Sequence, residues 1–194
     1  MVYGVGYNSG GKFMKSVNRK RSKSESVWKD MIRRCHSPLY QSQNETYKGC
    51  EVYEPWLDFQ VFAEWFHNNH VDGYQLDKDI LGNGKLYSPD TCVFIPKALN
   101  LLLVNISASK SRNNHLPLGV TLGKNGTSFI AYCNNGEGKT INLGSRNNKE
   151  DAFSLYKGYK ESLIQRKANE YFNSGVIVGK VRDALLMYEV KPYI

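Results

Sequence analysis

Three groups of residues carry the chemistry available to this chain. Between Met1 and about Glu25, the cations Lys12, Lys15, Arg19, Lys20, Arg21 and Lys23 stand among Gly and Ser, with Glu25 as the only acid. Such a stretch displaces the condensed counterions of a polyphosphate, so residues 1–25 are expected to form a mobile basic arm that adds affinity for DNA without reading sequence. The second group is the acid–base–acid triplet Asp77-Lys78-Asp79, flanked by Leu76 and Ile80. The third is His67 and His70, whose i, i+3 spacing could hold a metal weakly. Cys35, Cys50, Cys92 and Cys133 include no C-x-x-C pair, which argues against structural zinc. Without a signal peptide, a reduced, cytoplasmic protein is expected.

Composition agrees with an anionic partner. The formal charge is +8 over 194 residues, and 13 tyrosines supply flat rings among the cations. A hydrophobic content of 41% is enough to bury a core, which excludes a disordered chain. No apolar run approaches the ~20 residues that a membrane helix needs, so no membrane partner is expected.

The elements that must position these residues follow from hydrophobic spacing. Trp28, Met31, Ile32 and Cys35 recur at i, i+3, i+4 and i+7 and predict a helix from Ser26, with Ser24 or Ser26 as its cap. An irregular segment through Tyr47, Gly49 and Val52 precedes a second helix, marked by Trp56, Phe59, Phe62 and Phe66 and closed by His67 to His70. Both aromatic stripes are expected in the core. From Gln75 to Asn100 the pattern predicts a strand, a loop with a Gly82-Asn83-Gly84 turn, and a strand at Cys92-Val93-Phe94-Ile95. A helix with Ala98, Leu99 and Asn100 follows, with Pro96 in its first turn. Ser107 to Asn114 is polar and basic, a linker that also takes in His115. Beyond it, Leu118–Leu122, Ser128–Cys133 and Thr140–Leu143 predict three strands, separated by Asn125-Gly126 and Asn135-Gly136 hairpin signals. A long helix over about Lys149 to Tyr171 and a last one over Lys180 to Tyr188 complete the chain. Lys157, Lys160, Arg166, Lys167, Lys180 and Arg182 are expected on their solvated faces.

Several landmarks occur together in order: Trp28-x-x-Met31-x-x-Arg34-Cys35, Tyr47-x-Gly49, Trp56-x-x-Phe59-x-x-Phe62, Leu76-Asp77-Lys78-Asp79-Ile80 and Tyr87-Ser88-Pro89-x-x-Cys92. Over residues 26–106 the chain resembles a phage-borne branch of the HNH endonuclease superfamily. The resemblance implies a ββα-metal motif in which Asp77 and Asn100 hold a divalent cation such as Mg²⁺, both being oxygen donors suited to a hard ion. Where that family carries its general-base histidine, this chain has Lys78. An ammonium with an ordinary pKa of ~10.4 is better suited to gripping phosphate than to activating water. The family's loop asparagine is replaced by Thr91, and His70 is the candidate substitute base.

The later landmarks Leu116-x-x-Gly119-Val120, Phe129-x-Ala131, Ile141-x-Leu143-Gly144 and Glu150-Asp151-Ala152-x-x-x-Tyr156 are similar to an AP2 domain, over residues 116–172. That resemblance implies a three-stranded sheet in the DNA major groove, with Thr121, Lys124, Tyr132, Asn134, Lys139, Thr140 and Asn142 facing outward. Asn142 is the candidate for adenine, and Lys124 and Lys139 for phosphates.

The expectation is an α+β protein in five parts: a flexible basic arm (1–25), an HNH-like ββα-metal module (26–106), a linker (107–115), an AP2-like module (116–172) and a C-terminal helix (173–194). It resembles free-standing homing endonucleases, and three functions stay open. The first is a double-stranded-DNA-binding protein weak or inactive in cleavage, using the arm, Lys78 and the sheet. The second is an active Mg²⁺-dependent nicking endonuclease. The third is an interaction protein that binds a host protein through the former DNA face.

Overall fold

The computed structural model describes residues 1–103 and 116–192, and in them the fold is α+β. The expected linker, His115 included, lies outside the described residues. The chain divides into two units, Met1–Lys97 and Ala98–Ile194.

In the first unit a short hairpin, β1 (Ser16–Val17) and β2 (Lys20–Arg21), leads into helix α1 (Lys23–His36). Asn18 and Arg19 turn the hairpin with φ of 51° and 62°, the geometry that matches the twist of its strands. The cap of α1 is Ser22, not Ser24 or Ser26: its hydroxyl accepts the Glu25 N–H at 3.1 Å. The expected apolar face holds, with Trp28, Met31, Ile32 and Cys35 buried.

The segment predicted to be irregular contains helix α2 (Pro38–Gln43), capped by Ser37 and started by Pro38, then a 3₁₀ turn at Glu45–Tyr47 and strand β3 (Glu51–Val52). Helix α3 (Phe59–Asn69), capped by Asp58, presents Phe59, Phe62, Ala63 and Phe66 to the core. There the Trp28 indole N–H donates to the Trp56 carbonyl at 2.7 Å, and the Trp56 ring meets Phe62 edge-on. Burying each such side chain contributes about 1.5–3 kcal/mol, so this aromatic cluster dominates the unit's stability.

The expected strand, loop and strand are β4 (Tyr74–Asp77) and β6 (Val93–Pro96), paired antiparallel. Between them β5 (Leu86–Tyr87) pairs in parallel with β3. Pro96 ends β6 opposite Tyr74, and helix α4 (Lys97–Leu103) begins after it.

Residues 1–25 are not a free arm. The Tyr7 N–H donates to the Leu57 carbonyl and its own carbonyl accepts the Phe59 N–H, both at 2.9 Å. Asp58 accepts the Ser9 N–H, Gln60 bonds both backbone groups of Phe13, and the Phe13 ring stacks on His67 at 4.9 Å. The cations expected to be mobile are tied to a scaffold because backbone groups of residues 7–13 find their partners at the start of α3.

In the second unit β7 (Val120–Leu122), β8 (Phe129–Asn134) and β9 (Thr140–Arg146) form an antiparallel sheet in the order β7-β8-β9. Both hairpins turn as their Asn-Gly signals predicted, with Gly126 and Gly136 at positive φ. Helix α5 (Lys149–Asn173) buries Ala152, Tyr156, Leu163, Ile164 and Ala168. Gly119, at φ 71°, lies where a Cβ would come within 2.0 Å of Tyr156 Cδ2, so the strand entry seats directly on the helix ring. The last segment is part of this core. Helix α6 (Gly179–Leu186) buries Val181 and Leu185, the Val190 N–H donates to Glu161, and the Pro192 carbonyl accepts the Leu118 N–H.

Candidate nucleic-acid interface

The Asp77 loop starts from a backbone need. Where β4 ends, the N–H groups of Asp79 and Ile80 leave the ladder, and Asp77 Oδ1 accepts both at 2.9 Å. Asp77 is 8% exposed, and this burial, reinforced by the Asp79 charge, raises its pKa despite those two bonds. Lys78 is 6% exposed, and its Nζ donates to Asp79 Oδ1 and to the Gly84 carbonyl, each at 2.6 Å. The rings of Tyr47 and Tyr87 lie 5.5 Å from the same nitrogen. Burial pulls the Lys78 pKa down, but the hydrogen bond and charge of Asp79, with Cys50 and Tyr47, carry it above the usual lysine value. Lys78 is therefore a charged clamp inside its own loop, not an exposed phosphate grip. Thr91 completes the loop, donating to the Leu86 carbonyl at 2.6 Å and accepting the Ser88 N–H.

Both N–H groups use Asp77 Oδ1, so an ion at this carboxylate would bind through Oδ2. Among the described residues no three His, Cys, Asp or Glu side chains gather as a metal site. Asn100 lies in α4. His70 caps α3, stacks on Phe66 at 4.4 Å and meets Phe94 edge-on, and burial lowers its pKa. It is a neutral aromatic packing element, and His67 is held by Phe13.

The sheet of the second unit is organised in the opposite way. Strand alternation sends Ala131 and Cys133 inward and leaves Thr121, Asn134, Thr140, Asn142 and Ser145 in solvent, with Tyr132 half-buried. Register aligns them in rows: Thr121, Ile130 and Ser145; Tyr132 and Asn142; Asn134 and Thr140. A bulge between Ala131 and Tyr132 lets β9 run on to Arg146. Asn142 Oδ1 accepts the Gly144 N–H at 2.9 Å, and Asn134 Oδ1 accepts that of Gly136 at 2.8 Å. Each amide is thus oriented by its own turn and keeps a second carbonyl lone pair.

Cations frame this uncharged face. Lys124 and Lys139 stand in the two hairpins, neither in an ion pair among the described residues, whereas Arg146 falls in the row of Leu122 and Phe129, on the side of the sheet that carries Ala131. The helices behind it differ. Lys157 bridges Glu161 and Glu189 at 3.0 Å, Lys167 pairs with Glu170, and Arg182 pairs with Asp183. Lys160, expected in solvent, is buried, and that burial lowers its pKa. In the first unit Arg19 and Lys20 stand exposed at the β1–β2 turn, whereas Lys12 pairs with Glu64 and Arg21 with Glu25; Lys15 lies just before that hairpin, half-buried.

Sequence reasoning missed Ser145, Ile130 and Arg146 on the sheet, because Gly144 reads as a strand terminator and the bulge has no residue signature. Comparison with known proteins finds no matching family model, no matching curated protein and no matching solved structure. No helix among the described residues is long and apolar enough to cross a membrane.

Proposed function

We propose that the protein binds double-stranded DNA through the exposed face of β7-β8-β9 and does not cleave it efficiently. It would derive from an endonuclease of the HNH type joined to an AP2-like reader. The observation that carries the reading is the cross-strand block of Thr121, Tyr132, Asn142, Asn134 and Thr140, with Lys124 and Lys139 in the hairpins at its rim. Three strands about 4.8 Å apart make a ribbon about 10 Å across, which suits a major groove about 12 Å wide. Oriented amides and hydroxyls meet base edges, while cations at the hairpins meet phosphates on either side. Arg19 and Lys20 add a phosphate contact from the first unit.

Weak cleavage follows from the Asp77 loop, where the residue after the aspartate is a buried ammonium that cannot take a proton from water near neutrality. Mg²⁺-dependent nicking is the second reading, favoured by the position of Asp77 at the end of β4 in a strand, loop, strand, helix order. A plasmid-nicking assay with Mg²⁺ separates the two. The first reading expects no nicking above background; nicking lost in both Asp77→Ala and Asn100→Ala would establish the second. Duplex binding itself is tested by electrophoretic shifts with Asn142→Ala and Lys139→Ala, each expected to weaken the complex.

A further inference from the structure

The S-x-x-E pattern Ser22-Lys23-Ser24-Glu25 is a capping box, in which the glutamate ordinarily reaches back to the backbone N–H of the cap. Here the Ser22 N–H donates instead to the Lys15 carbonyl at 2.8 Å, which releases the Glu25 carboxylate. Its two oxygens hold Arg21 Nε at 3.3 Å and Lys29 Nζ at 3.1 Å, although its own side chain is only 8% exposed. A shielded acid thus sets two accessible cations side by side. One turn further along α1, Arg33 is held by Asp30 at 3.0 Å. Val2, Tyr3, Arg21, Lys29, Asp30 and Arg33 line one open cleft of about 380 Å³.

Its aromatic wall is held under strain. Tyr3 is 46% exposed at φ 49°, a conformation costly for a residue with a side chain. The surrounding turn imposes it: Val2 and Gly6 exchange backbone bonds at 2.6 and 2.9 Å, and Gly6 sits so close to the Trp28 ring that a Cβ there would lie 3.0 Å from it. The core therefore fixes the backbone of Tyr3, which lines the cleft together with three cations.

We infer that this cleft binds one nucleotide, with its phosphate on Arg21, Lys29 and Arg33 and its base stacked on Tyr3. A bare phosphate would leave most of the volume and the ring unused, whereas a base on an aromatic face with cations along the backbone is how single strands are gripped. The cleft belongs wholly to the first unit, so the inference goes beyond duplex binding by the sheet and does not depend on it.

The test uses the full chain and a fluorescent ten-residue oligothymidylate, read by anisotropy, with thymidine 5′-phosphate and inorganic phosphate as competitors. Wild type is expected to bind the oligomer, to release it to the mononucleotide, and to resist inorganic phosphate at the same concentration. Tyr3→Ala and Arg33→Ala should each weaken the oligomer about tenfold with circular dichroism unchanged, although Arg33→Ala also gives up the packing of its guanidinium on Tyr40. Lys29→Ala provides a second cation variant. Asn142→Ala should weaken duplex binding and leave oligothymidylate affinity intact. Failure of wild type to bind the oligomer, or equal binding by Tyr3→Ala and Arg33→Ala, overturns the cleft assignment. Release by inorganic phosphate as readily as by the mononucleotide overturns the base contact. Duplex affinity unaffected by Asn142→Ala would count against the sheet alone.

Discussion

In the loop after β4, Asp77 and Lys78 are buried and the side-chain hydrogen bonds described for them return to residues 79–84, while on the β7-β8-β9 face Asn142 and Asn134 stand in solvent with one oxygen tied to a backbone N–H two residues on. Both regions are rich in polar side chains at the ends of strands. What separates them is where hydrogen-bonding capacity is used. A buried charge has to be satisfied from within, and the loop spends the Lys78 ammonium and Asp77 Oδ1 on its own groups. An exposed amide oriented by a single turn bond stays available and loses little freedom on binding.

The sharpest way to break this comparison is to destroy the sheet's seat without touching its face. Gly119→Ala adds a Cβ against Tyr156 and forces alanine to a positive φ, so the second unit should lose about 4 kcal/mol in urea unfolding and duplex binding should fail with it. Lys78→Met tests the loop. It leaves the Gly84 carbonyl with the weaker Cys50 thiol donor at 3.6 Å and should destabilise the first unit by about 2 kcal/mol, discounted because Asp79 is exposed, with duplex affinity unchanged. A loss of affinity in a folded Lys78→Met protein would return Lys78 to the interface. Asn142→Ala should do the reverse, altering stability by less than about 0.5 kcal/mol and weakening one preferred duplex by about 1–2 kcal/mol in a shift assay.

The smallest expected effect is on pH dependence. Burial lowers the pKa of both His36 and His70, so the unfolded chain binds protons more readily than the folded one. Their contribution is complete above the ordinary histidine value of 6.5 and is lost as pH falls below it, through the depressed folded values. Asp77 acts in the opposite sense, since its raised pKa favours the fold as pH approaches the carboxylate range. Urea midpoints for wild type and His70→Gln at pH 7.5 and 5.5 isolate the histidine part, and the decline should be smaller in the variant.

Much of the fold was legible because burial leaves periodic traces. The stripe from Trp28 to Cys35, the one from Trp56 to Phe66 and the paired Asn-Gly turns led directly to α1, α3 and the β7-β8-β9 hairpins. Other features rest on contacts with no local period. Tyr7, Ser9 and Phe13 are held by Leu57, Asp58 and Gln60 across about fifty residues of chain, and a Gly- and Lys-rich stretch gives no sign of such partners. The pairing of β3 with β5 spans two residues on each strand, too few for an alternation to show. The Asp77 position was legible as a strand end, but its turn bonds and the inward path of Lys78 were not, because a charged triplet looks the same whether it faces water or the Tyr47 and Tyr87 rings. The cap of α1 was placed at Ser24 or Ser26, although the S-x-x-E spacing from Ser22 to Glu25 carried the signal for Ser22.

The central claim is tested most directly by duplex binding of wild type and a Lys124→Ala, Lys139→Ala double variant across a salt series from about 50 to 200 mM. The predicted result is a wild-type affinity that falls steeply with salt and a variant that is both weaker and shallower, by about one unit of slope for each phosphate that the variant no longer neutralises. A wild-type response flat in salt, or a variant that matches wild type at every concentration, would contradict it.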